Sequence, residues 1–167
     1  SSGSVEIDGI DIMDDAIAYK KKIGYLPEIP PLYSDMTVME YLEFVCGIKY
    51  ADTSCIEGIL KEVRRTDVKD RLIKNLSKGY RQRVGIAQAL IGNPKVIIFD
   101  EPTNGLDPKQ VVEIRNLVKD LGRDHTVILS THILSEVQLI CDRIIIINQG
   151  RLVADEKTED MEKIMTG

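Results

Sequence analysis

Four consecutive apolar residues, Val96 to Phe99, are followed by two adjacent carboxylates, Asp100 and Glu101. An uninterrupted apolar run of this length is typical of a strand that is buried on both faces, as in a parallel sheet. Ligands of open parallel sheets bind at the carboxyl ends of the strands, which is where this pattern places the two acids. The acids alone leave two interpretations open, a functional pair or a solvated strand end.

The sequence beyond Lys95 alternates strand and helix patterns, which predicts an α/β domain with a mostly parallel sheet flanked by helices. The predicted strands cover residues 95–100, 126–130 and 143–148, with helices at 108–121 and 133–141 between them. A turn at residues 148–150 then leads into a short last strand, 151–154, and a terminal helix, which adds a small antiparallel β part.

The first half of the chain predicts a different organisation. Residues 5–12 have the pattern of a strand or hairpin with an acidic outer face, a short helix covers 14–22, and residues 23–26 form a strand that Pro27 stops. Thr37 and Glu40 form a capping box for a helix over 37–50, and residues 54–57 repeat that signal for a helix that ends near Arg65. Residues 37–76 therefore predict a helical insertion.

Composition and charge narrow the function classes. The chain has 167 residues, enough for a core without disulfides, and 27 acidic against 22 basic side chains give a net charge of −5. This balance argues against a nucleic-acid partner. The apolar runs are too short to span a membrane, no signal peptide pattern is present, and the three cysteines, Cys46, Cys55 and Cys141, fit reduced thiols rather than a zinc site.

Two further segments carry candidate chemistry. The loop after Glu101 ends in Asp107 followed by Pro108, a helix cap with proline at the first helical position. His132 lies 31 residues after Glu101, just beyond the next predicted strand, where a histidine is either structural or a hydrogen-bond donor to a terminal phosphate. His125, before that strand, is interpreted as a surface residue.

Ser77 predicts the start of another helix, with Lys78 and Gly79 beside it. Free backbone N–H groups, the helix dipole and a nearby cation favour a bound phosphate. An ordinary helix cap explains the same pattern, so both interpretations stay open for this segment alone.

The order of these segments resembles the nucleotide-binding domain of ATP-binding cassette (ABC) transporters. The resemblance rests on Leu-Ser-Lys-Gly-Tyr at 76–80, Ile-Ile-Phe-Asp-Glu-Pro at 97–102, Asn-Gly-Leu-Asp at 104–107 and Ser-Thr-His at 130–132. In that family these segments are the signature motif, Walker B with the catalytic glutamate, the D-loop and the switch histidine. Residues 23–28 resemble the segment that leads into the Q-loop. The resemblance covers nearly the whole chain.

The resemblance implies a P-loop NTPase-type fold, with a helical signature subdomain at about 37–92 and a core at about 95–155. It implies ATP and Mg²⁺ as ligands, Asp100 and Glu28 near the metal, and Glu101 as the residue that polarises the attacking water. His132 would contact the γ-phosphate. Ser77, Lys78 and Gly79 would face the nucleotide held by a second copy, and Asp107 would communicate across that dimer.

The sequence departs from the family pattern in two places. The usual signature is Leu-Ser-Gly-Gly-Gln, whereas Lys78 and Tyr80 stand here at the third and fifth positions. Glu28 stands where the family usually has glutamine, which puts a carboxylate in place of an amide. These features resemble bacterial exporter-type subunits, which implies a transmembrane permease as partner and a cytoplasmic position on the inner face of the membrane.

The phosphate-binding pattern Gly-x-x-x-x-Gly-Lys-Ser/Thr does not occur in the 167 residues, and neither does any Gly-Lys pair. The resemblance places that loop just before a segment like residues 2–9. We therefore expect a domain without its first strand and phosphate-loop helix. The alternative is a fragment that binds no nucleotide on its own, and a cassette ATPase of ribosomes or DNA repair is disfavoured because those carry tandem domains or long coiled-coil arms.

Overall fold

The computed structural model describes residues 3–160. The chain divides into two compact units, residues 1–130 and residues 131–167, and each unit is described by itself. The first unit contains a parallel sheet and the helical segment, and the described part of the second contains the helix Leu134–Ile140, a helical turn at residues 158–160 and an antiparallel strand pair.

The elements of the first unit follow the predicted order. They are β1 (Glu6–Ile7), β2 (Ile10–Asp11), α1 (Ala16–Lys21), β3 (Ile23–Leu26), α2 (Val38–Lys49), α3 (Ile56–Glu62), α4 (Lys78–Leu90), β4 (Val96–Asp100), α5 (Pro108–Leu121) and β5 (Thr126–Ser130). Short 3₁₀ turns at Thr53–Cys55, Thr66–Val68 and Ile73–Asn75 connect the helices of the middle segment. Strands β1 and β2 form the predicted antiparallel hairpin.

The parallel sheet confirms that the apolar run forms a strand, but only one of its faces is buried: Ile97 and Phe99 are buried, whereas Val96 and Ile98 are half-buried. Its strand order is β3-β4-β5, so the run in β4 lies in the centre. Phe99 is paired with Leu26 on one side and with Leu129 on the other, and both Phe99 and Leu26 have no exposed surface. Because the three strands are parallel, their carboxyl ends meet at one edge of the sheet.

Helix α2 begins at the predicted capping box. Thr37 Oγ1 accepts a hydrogen bond from Glu40 N at 3.2 Å, and Glu40 Oε2 accepts one from Thr37 N at 2.8 Å. The buried residues recur at helical spacing, which gives α2 one apolar face toward the rest of the segment. They are Val38, Tyr41, Leu42, Val45 and Cys46.

The second predicted capping box, at residues 54–57, is wrong. Asp52 accepts a hydrogen bond from Ser54 N at 2.7 Å and starts a 3₁₀ turn that continues into α3, whose first flanking residue Cys55 makes no side-chain cap. The Asp52 carboxylate thus takes Ser54 N, the donor that the Glu57 carboxylate would satisfy in a capping box. Helix α3 also ends at Glu62, before the predicted end near Arg65.

Helix α4 packs closely on β3 through two glycines. A Cβ atom on Gly24 would overlap the carbonyl oxygen of Ala89, and one on Gly85 would lie 2.6 Å from Leu26 Cδ1. Lys49 Nζ donates to the carbonyl oxygens of Gln88 at 3.1 Å and Ile91 at 3.0 Å, which satisfies the carboxyl end of α4. These contacts join the helical segment to β3, which is the outer strand on one side of the described sheet.

Tyr41 gives this helical segment a dependence on alkaline pH. Its side chain is 3% exposed, its hydroxyl donates to the carbonyl oxygen of Pro31 at 3.4 Å, and burial, with a smaller effect of Tyr33, raises its pKa from 10.0 to about 12. A raised pKa in the folded state favours the neutral phenol, so its contribution to stability is complete below pH 10 and is lost as the pH rises toward 12.

We expect the free energy of unfolding to fall between pH 10 and pH 12, by at most about 1.4 kcal/mol per pH unit for this one group. Tyr41→Phe should flatten the fall, and urea denaturation at several pH values measures it. Tyr50→Phe is the matched control because its side chain is 86% exposed. Equal pH dependence in wild type and Tyr41→Phe would contradict the assignment.

The second unit comprises α6 (Leu134–Ile140), β6 (Arg143–Asn148) and β7 (Arg151–Lys157). Strand β6 pairs antiparallel with β7, so among residues 3–160 the three-stranded parallel sheet does not include it. Strand β7 is longer than predicted, and Arg143 anchors its far end with two hydrogen bonds of 2.6 and 2.7 Å to Asp155. Most of the predicted terminal helix lies outside the described residues.

Within the described residues, no helix is both long and apolar enough to cross a membrane.

Candidate functional site

Asp100 and Glu101 lie where the central strand of the sheet ends. Asp100 Oδ1 accepts a hydrogen bond from Ser130 Oγ at 3.0 Å, which links the ends of β4 and β5. Glu101 N donates to the carbonyl oxygen of Ser130 at 2.9 Å, and Glu101 is half-buried. The structure therefore holds both acids at the carboxyl edge of the sheet, as the sequence predicts.

Glu101 has a backbone φ of +46°, in the left-handed region that few residues other than glycine adopt. Its carbonyl oxygen accepts from Asn104 N at 3.1 Å, which closes the first turn of the following loop. Residues held in such conformations by their surroundings are frequent at functional sites.

The loop after Glu101 ends as predicted. Asp107 accepts a hydrogen bond from Gln110 N at 3.0 Å, and Pro108 occupies the first position of α5. Gly105 has a φ of +67°, which glycine adopts without strain, and the side chain of Thr103 is buried, with 6% of the residue exposed. Asp107 serves here as a helix cap, and its role between two copies stays a prediction.

Glu28 follows β3 and reaches the same edge of the sheet. Its Oε1 accepts a hydrogen bond from Asn104 Nδ2 at 2.6 Å, which connects the segment after β3 to the loop after β4. Asn104 was not among the predicted site residues. Its place in a loop between two candidate groups, Glu101 and Asp107, is the sequence signal that identifies it.

The carboxylates at this edge do not form a complete metal site by themselves. Within residues 3–160, no group of three or more histidine, cysteine, aspartate or glutamate side chains has the arrangement of a metal site. Mg²⁺ in phosphoryl-transfer sites is usually held by one or two carboxylates together with phosphate oxygens and waters. The donor chemistry of Asp100 and Glu28 therefore fits magnesium when a nucleotide supplies the other oxygens.

Ser77, Lys78 and Gly79 form the start of α4. Ser77 Oγ accepts from Tyr80 N at 3.4 Å, which confirms the predicted cap. Lys78 Nζ lies against Gly105, where a Cβ atom on that glycine would overlap it. Gly79 is buried against the Gln110 side chain, whose Nε2 would be 2.5 Å from a Cβ atom. The start of α4 thus lies beside the start of α5.

Arg83 and Glu113 continue this contact and were not predicted from the sequence. Arg83 is 4% exposed, and its Nη2 donates to Glu113 Oε2 at 2.6 Å. Burial lowers the pKa of Arg83, as does the charge of Arg65, while Glu113 opposes both effects. Arg83 lies four residues before Ala87 on the apolar side of α4, and this placement is the signal that could have identified it.

His132 belongs to the second unit, two residues beyond the end of β5. Its predicted contact with a phosphate near Glu101 therefore stays a prediction. Thr131 Oγ1 accepts a hydrogen bond from Ile133 N at 3.2 Å. This bond spans His132 in the turn that leads into α6.

A cavity of about 510 Å³ lies at the opposite end of the sheet from these acids. Its lining includes Val96 and Thr126, the first residues of β4 and β5, with Lys95, Arg123 and His125. His125 is half-buried and its Nδ1 lies 2.7 Å from the carbonyl oxygen of Pro94, so it is a partly exposed residue whose ring makes one hydrogen bond to the backbone. The cavity is separate from the carboxyl edge, where ligands of parallel sheets bind.

Comparison with known proteins identifies the family. The family model described as "ABC transporter" matches residues 1–104. An uncharacterised ABC transporter ATP-binding protein of Bacillus subtilis, YhcH, is 40% identical over 96% of this chain and 53% of its own length. The bacitracin transport ATP-binding protein BcrA of Bacillus licheniformis is 33% identical over 98% of this chain and 54% of its own length.

The lantibiotic transport ATP-binding protein SrtF of Streptococcus pyogenes is 35% identical over 86% of this chain and 63% of its own length. The chain thus spans about half to two thirds of the length of these curated relatives. The solved structure of cbiO1 from Clostridium perfringens, part of the ABC transporter complex cbiONQ, is 29% identical with a TM-score of 0.87. The superposed region covers 98% of this chain and 69% of cbiO1.

The fold, the order of the motifs and the matching family model agree. The parallel sheet, the helical segment and the small antiparallel pair occur in the same α/β architecture as the ABC ATPase structures. We conclude that the chain belongs to the ABC transporter family, as a part of its nucleotide-binding domain.

Proposed function

We propose that the chain is part of the ATP-binding subunit of an ABC transporter, which couples ATP binding and hydrolysis between two copies to solute export through a membrane permease. The observation that carries the proposal is the carboxyl edge of the sheet. There Glu101 begins, in a left-handed conformation, the loop that connects β4 to α5. The same loop accepts contacts from two other segments: Asn104 donates a hydrogen bond to Glu28 after β3, and Gly105 lies against Lys78 at the start of α4.

In this proposal each residue at the edge has a separate task. Glu101 orients and polarises the attacking water, because a carboxylate in hydrogen-bond reach of a water can accept its proton. Asp100, oriented by Ser130, would hold magnesium together with Glu28. Bound magnesium supplies charge neutralisation to the terminal phosphates. His132 donates a hydrogen bond to the γ-phosphate.

The start of α4 binds the nucleotide of the second copy. Its first N–H groups point out of the helix and favour negative charge, and Lys78 adds a cation beside them. Ser77 and Lys78 are exposed, so this end of the helix is open to a partner. A two-fold pairing of identical copies would make both nucleotide sites equivalent, with Asp107 at the contact between them.

The phosphate-binding loop is assigned to a part of the parent protein outside these 167 residues. No Gly-x-x-x-x-Gly-Lys-Ser/Thr pattern occurs in the sequence, and the curated relatives are longer than this chain. Among residues 3–160, β5 pairs with β4 alone, and Ile128 on β5 is 52% exposed. An additional strand on that side of β5 would extend the parallel sheet.

The proposed permease contact lies on the exposed aromatic side of the helical segment. Tyr33 packs against Tyr41 and Phe44 at ring-centroid distances of 6.1 and 5.4 Å, and Tyr33 and Phe44 are 52% and 41% exposed. Aromatic residues are enriched at protein interfaces because they offer a large apolar area with few rotatable bonds. Transport roles in the names of SrtF and BcrA support a membrane partner, and this partner would hold the subunit at the inner face of the cell membrane.

The absence of a phosphate loop favours a second candidate, in which these 167 residues alone bind no nucleotide. Equilibrium binding of labelled ATP with Mg²⁺ tests both candidates when the 167-residue chain and its full-length parent are measured side by side. We expect saturable binding and hydrolysis by the parent and at least a hundredfold weaker binding by the 167-residue chain, because most phosphate contacts come from the loop.

Equal affinity of the two chains would contradict the assignment of the phosphate loop. A parent protein that neither binds nor hydrolyses ATP would overturn the proposed function itself.

A further inference from the structure

The first two turns of α4 lie against the start of α5 and the loop that leads into it. Three contacts connect them in chain order: Lys78 with Gly105 of the loop, Gly79 with Gln110, and Arg83 with Glu113. The residue numbers rise together on both sides, so the first turns of the two helices run in the same direction. The two helix caps, Ser77 and Asp107, precede these neighbouring first turns.

The contact between Arg83 and Glu113 is the ionic one of the three. Arg83 Nη2 donates to Glu113 Oε2 at 2.6 Å, and Arg83 Nη1 donates to the carbonyl oxygen of Val63 at 3.1 Å. The same guanidinium thus connects α4 to α5 and to the end of α3. A short, charge-assisted hydrogen bond on a buried arginine restricts direction more strongly than apolar contact does.

Arg65 completes the cluster. Its Nη2 lies 3.9 Å from Glu113 Oε2, and its guanidinium carbon lies 4.0 Å from the centre of the Tyr80 ring. Tyr80 is the fifth residue of the signature segment, the position at which this chain departs from the family pattern. Glu113 is therefore paired with two arginines, one of which stacks directly on the signature segment.

We propose that Glu113 is a positioning residue, which holds the signature segment at the start of α4 in a fixed place relative to the D-loop at the start of α5. The proposal rests on the proposed function, in which both segments face the nucleotide of the second copy. Loss of the Glu113 charge leaves nucleotide capture by each subunit intact and misaligns the surface that completes the site of the partner. A displacement of about 1 Å in a catalytic arrangement is enough for a large loss of rate.

The test is Glu113→Gln in the full-length protein that contains these residues, with steady-state ATP turnover and binding of a fluorescent ATP analogue as readouts. We expect kcat to fall about tenfold, which corresponds to a partial misalignment of the site. The analogue Kd and a stoichiometry of one nucleotide per subunit should stay unchanged. An unchanged stoichiometry separates positioning from unfolding, because unfolded subunits would lose binding sites.

Asp120→Asn is the matched control on the same helix. Asp120 pairs with Arg64 at 3.8 Å and with Arg123 at 3.4 Å, and these side chains are exposed, so its charge contributes little. We expect the control to keep wild-type kcat. A double variant, Arg83→Met with Glu113→Leu, removes the buried arginine together with its carboxylate partner, leaves Arg65 stacked on Tyr80, and should show the same fall in kcat.

The proposal is overturned if Glu113→Gln and the double variant keep kcat within twofold of wild type. It is also overturned if Asp120→Asn lowers kcat equally, or if the fall in kcat is matched by a loss of nucleotide-binding sites. A wild-type protein that hydrolyses no ATP would overturn the proposed function and the positioning role with it.

Discussion

Glu101→Gln in the full-length protein should slow ATP hydrolysis by about a hundredfold or more while ATP binding stays close to that of the wild type. The substitution keeps the size and hydrogen-bonding capacity of the side chain and removes its ability to accept a proton from water. General-base contributions of this kind are worth about 10²–10⁴ in rate. Steady-state turnover gives the hydrolysis rate, and equilibrium binding on the same preparation gives the affinity for ATP.

Glu62→Gln is the control for Glu101→Gln. Glu62 is an exposed residue at the end of α3, so the same chemical change there should leave turnover unaltered. Normal turnover in Glu101→Gln would remove Glu101 from the role of the residue that activates water. Loss of ATP binding in the variant would show instead that the carboxylate contributes to capture of the nucleotide.

Phe99→Ala should lower the free energy of unfolding by about 3–5 kcal/mol, which is a large part of the total stability of a typical domain. Phe99 has no exposed surface and lies in the central strand between Leu26 and Leu129. Removal of its ring loses buried apolar area and leaves a cavity, because both neighbouring strands hold the backbone in place. The shift of the urea midpoint of the full-length protein measures the effect.

Val112→Ala provides the comparison for Phe99→Ala. Val112 lies on α5 with its side chain 50% exposed, so its truncation should change the free energy of unfolding by no more than about 0.5 kcal/mol. A Phe99→Ala protein whose midpoint matches that of Val112→Ala would show that the core around β4 relaxes to fill the space.

Glu101 and Phe99 also show why the main strand could be predicted from sequence. A run of four apolar residues is consistent with a buried strand, and the alternation of strand and helix patterns that follows it favours a strand over a buried helix segment. The same reasoning predicted the bounds of α5 and β5, because Asp107 with Pro108 and the short run before Ser130 are local signals. Local signals need no partner from elsewhere in the chain.

Ser54 shows the limit of such signals. Its capping pattern is genuine, but Asp52 accepts a hydrogen bond from Ser54 N at 2.7 Å and so takes the donor that Glu57 would satisfy in a capping box. The pairing of β6 with β7, by contrast, follows the turn predicted at residues 148–150. The outcome at Ser54 depends on competition between partners, and a pattern shows only one of the competitors.

By itself, the sequence determined the strands of the parallel sheet, the caps of α2, α4 and α5 and the acids at the end of β4, since these depend on side-chain periodicity and on hydrogen bonds within a few residues. Only the tertiary structure decided that Glu28 meets Asn104 and that Arg83 meets Glu113, at contacts of 2.6 Å between residues 76 and 30 positions apart. Such contacts follow from the packing of whole helices and strands, because the direction of a side chain is set by the element that carries it and its partner by the element beside it.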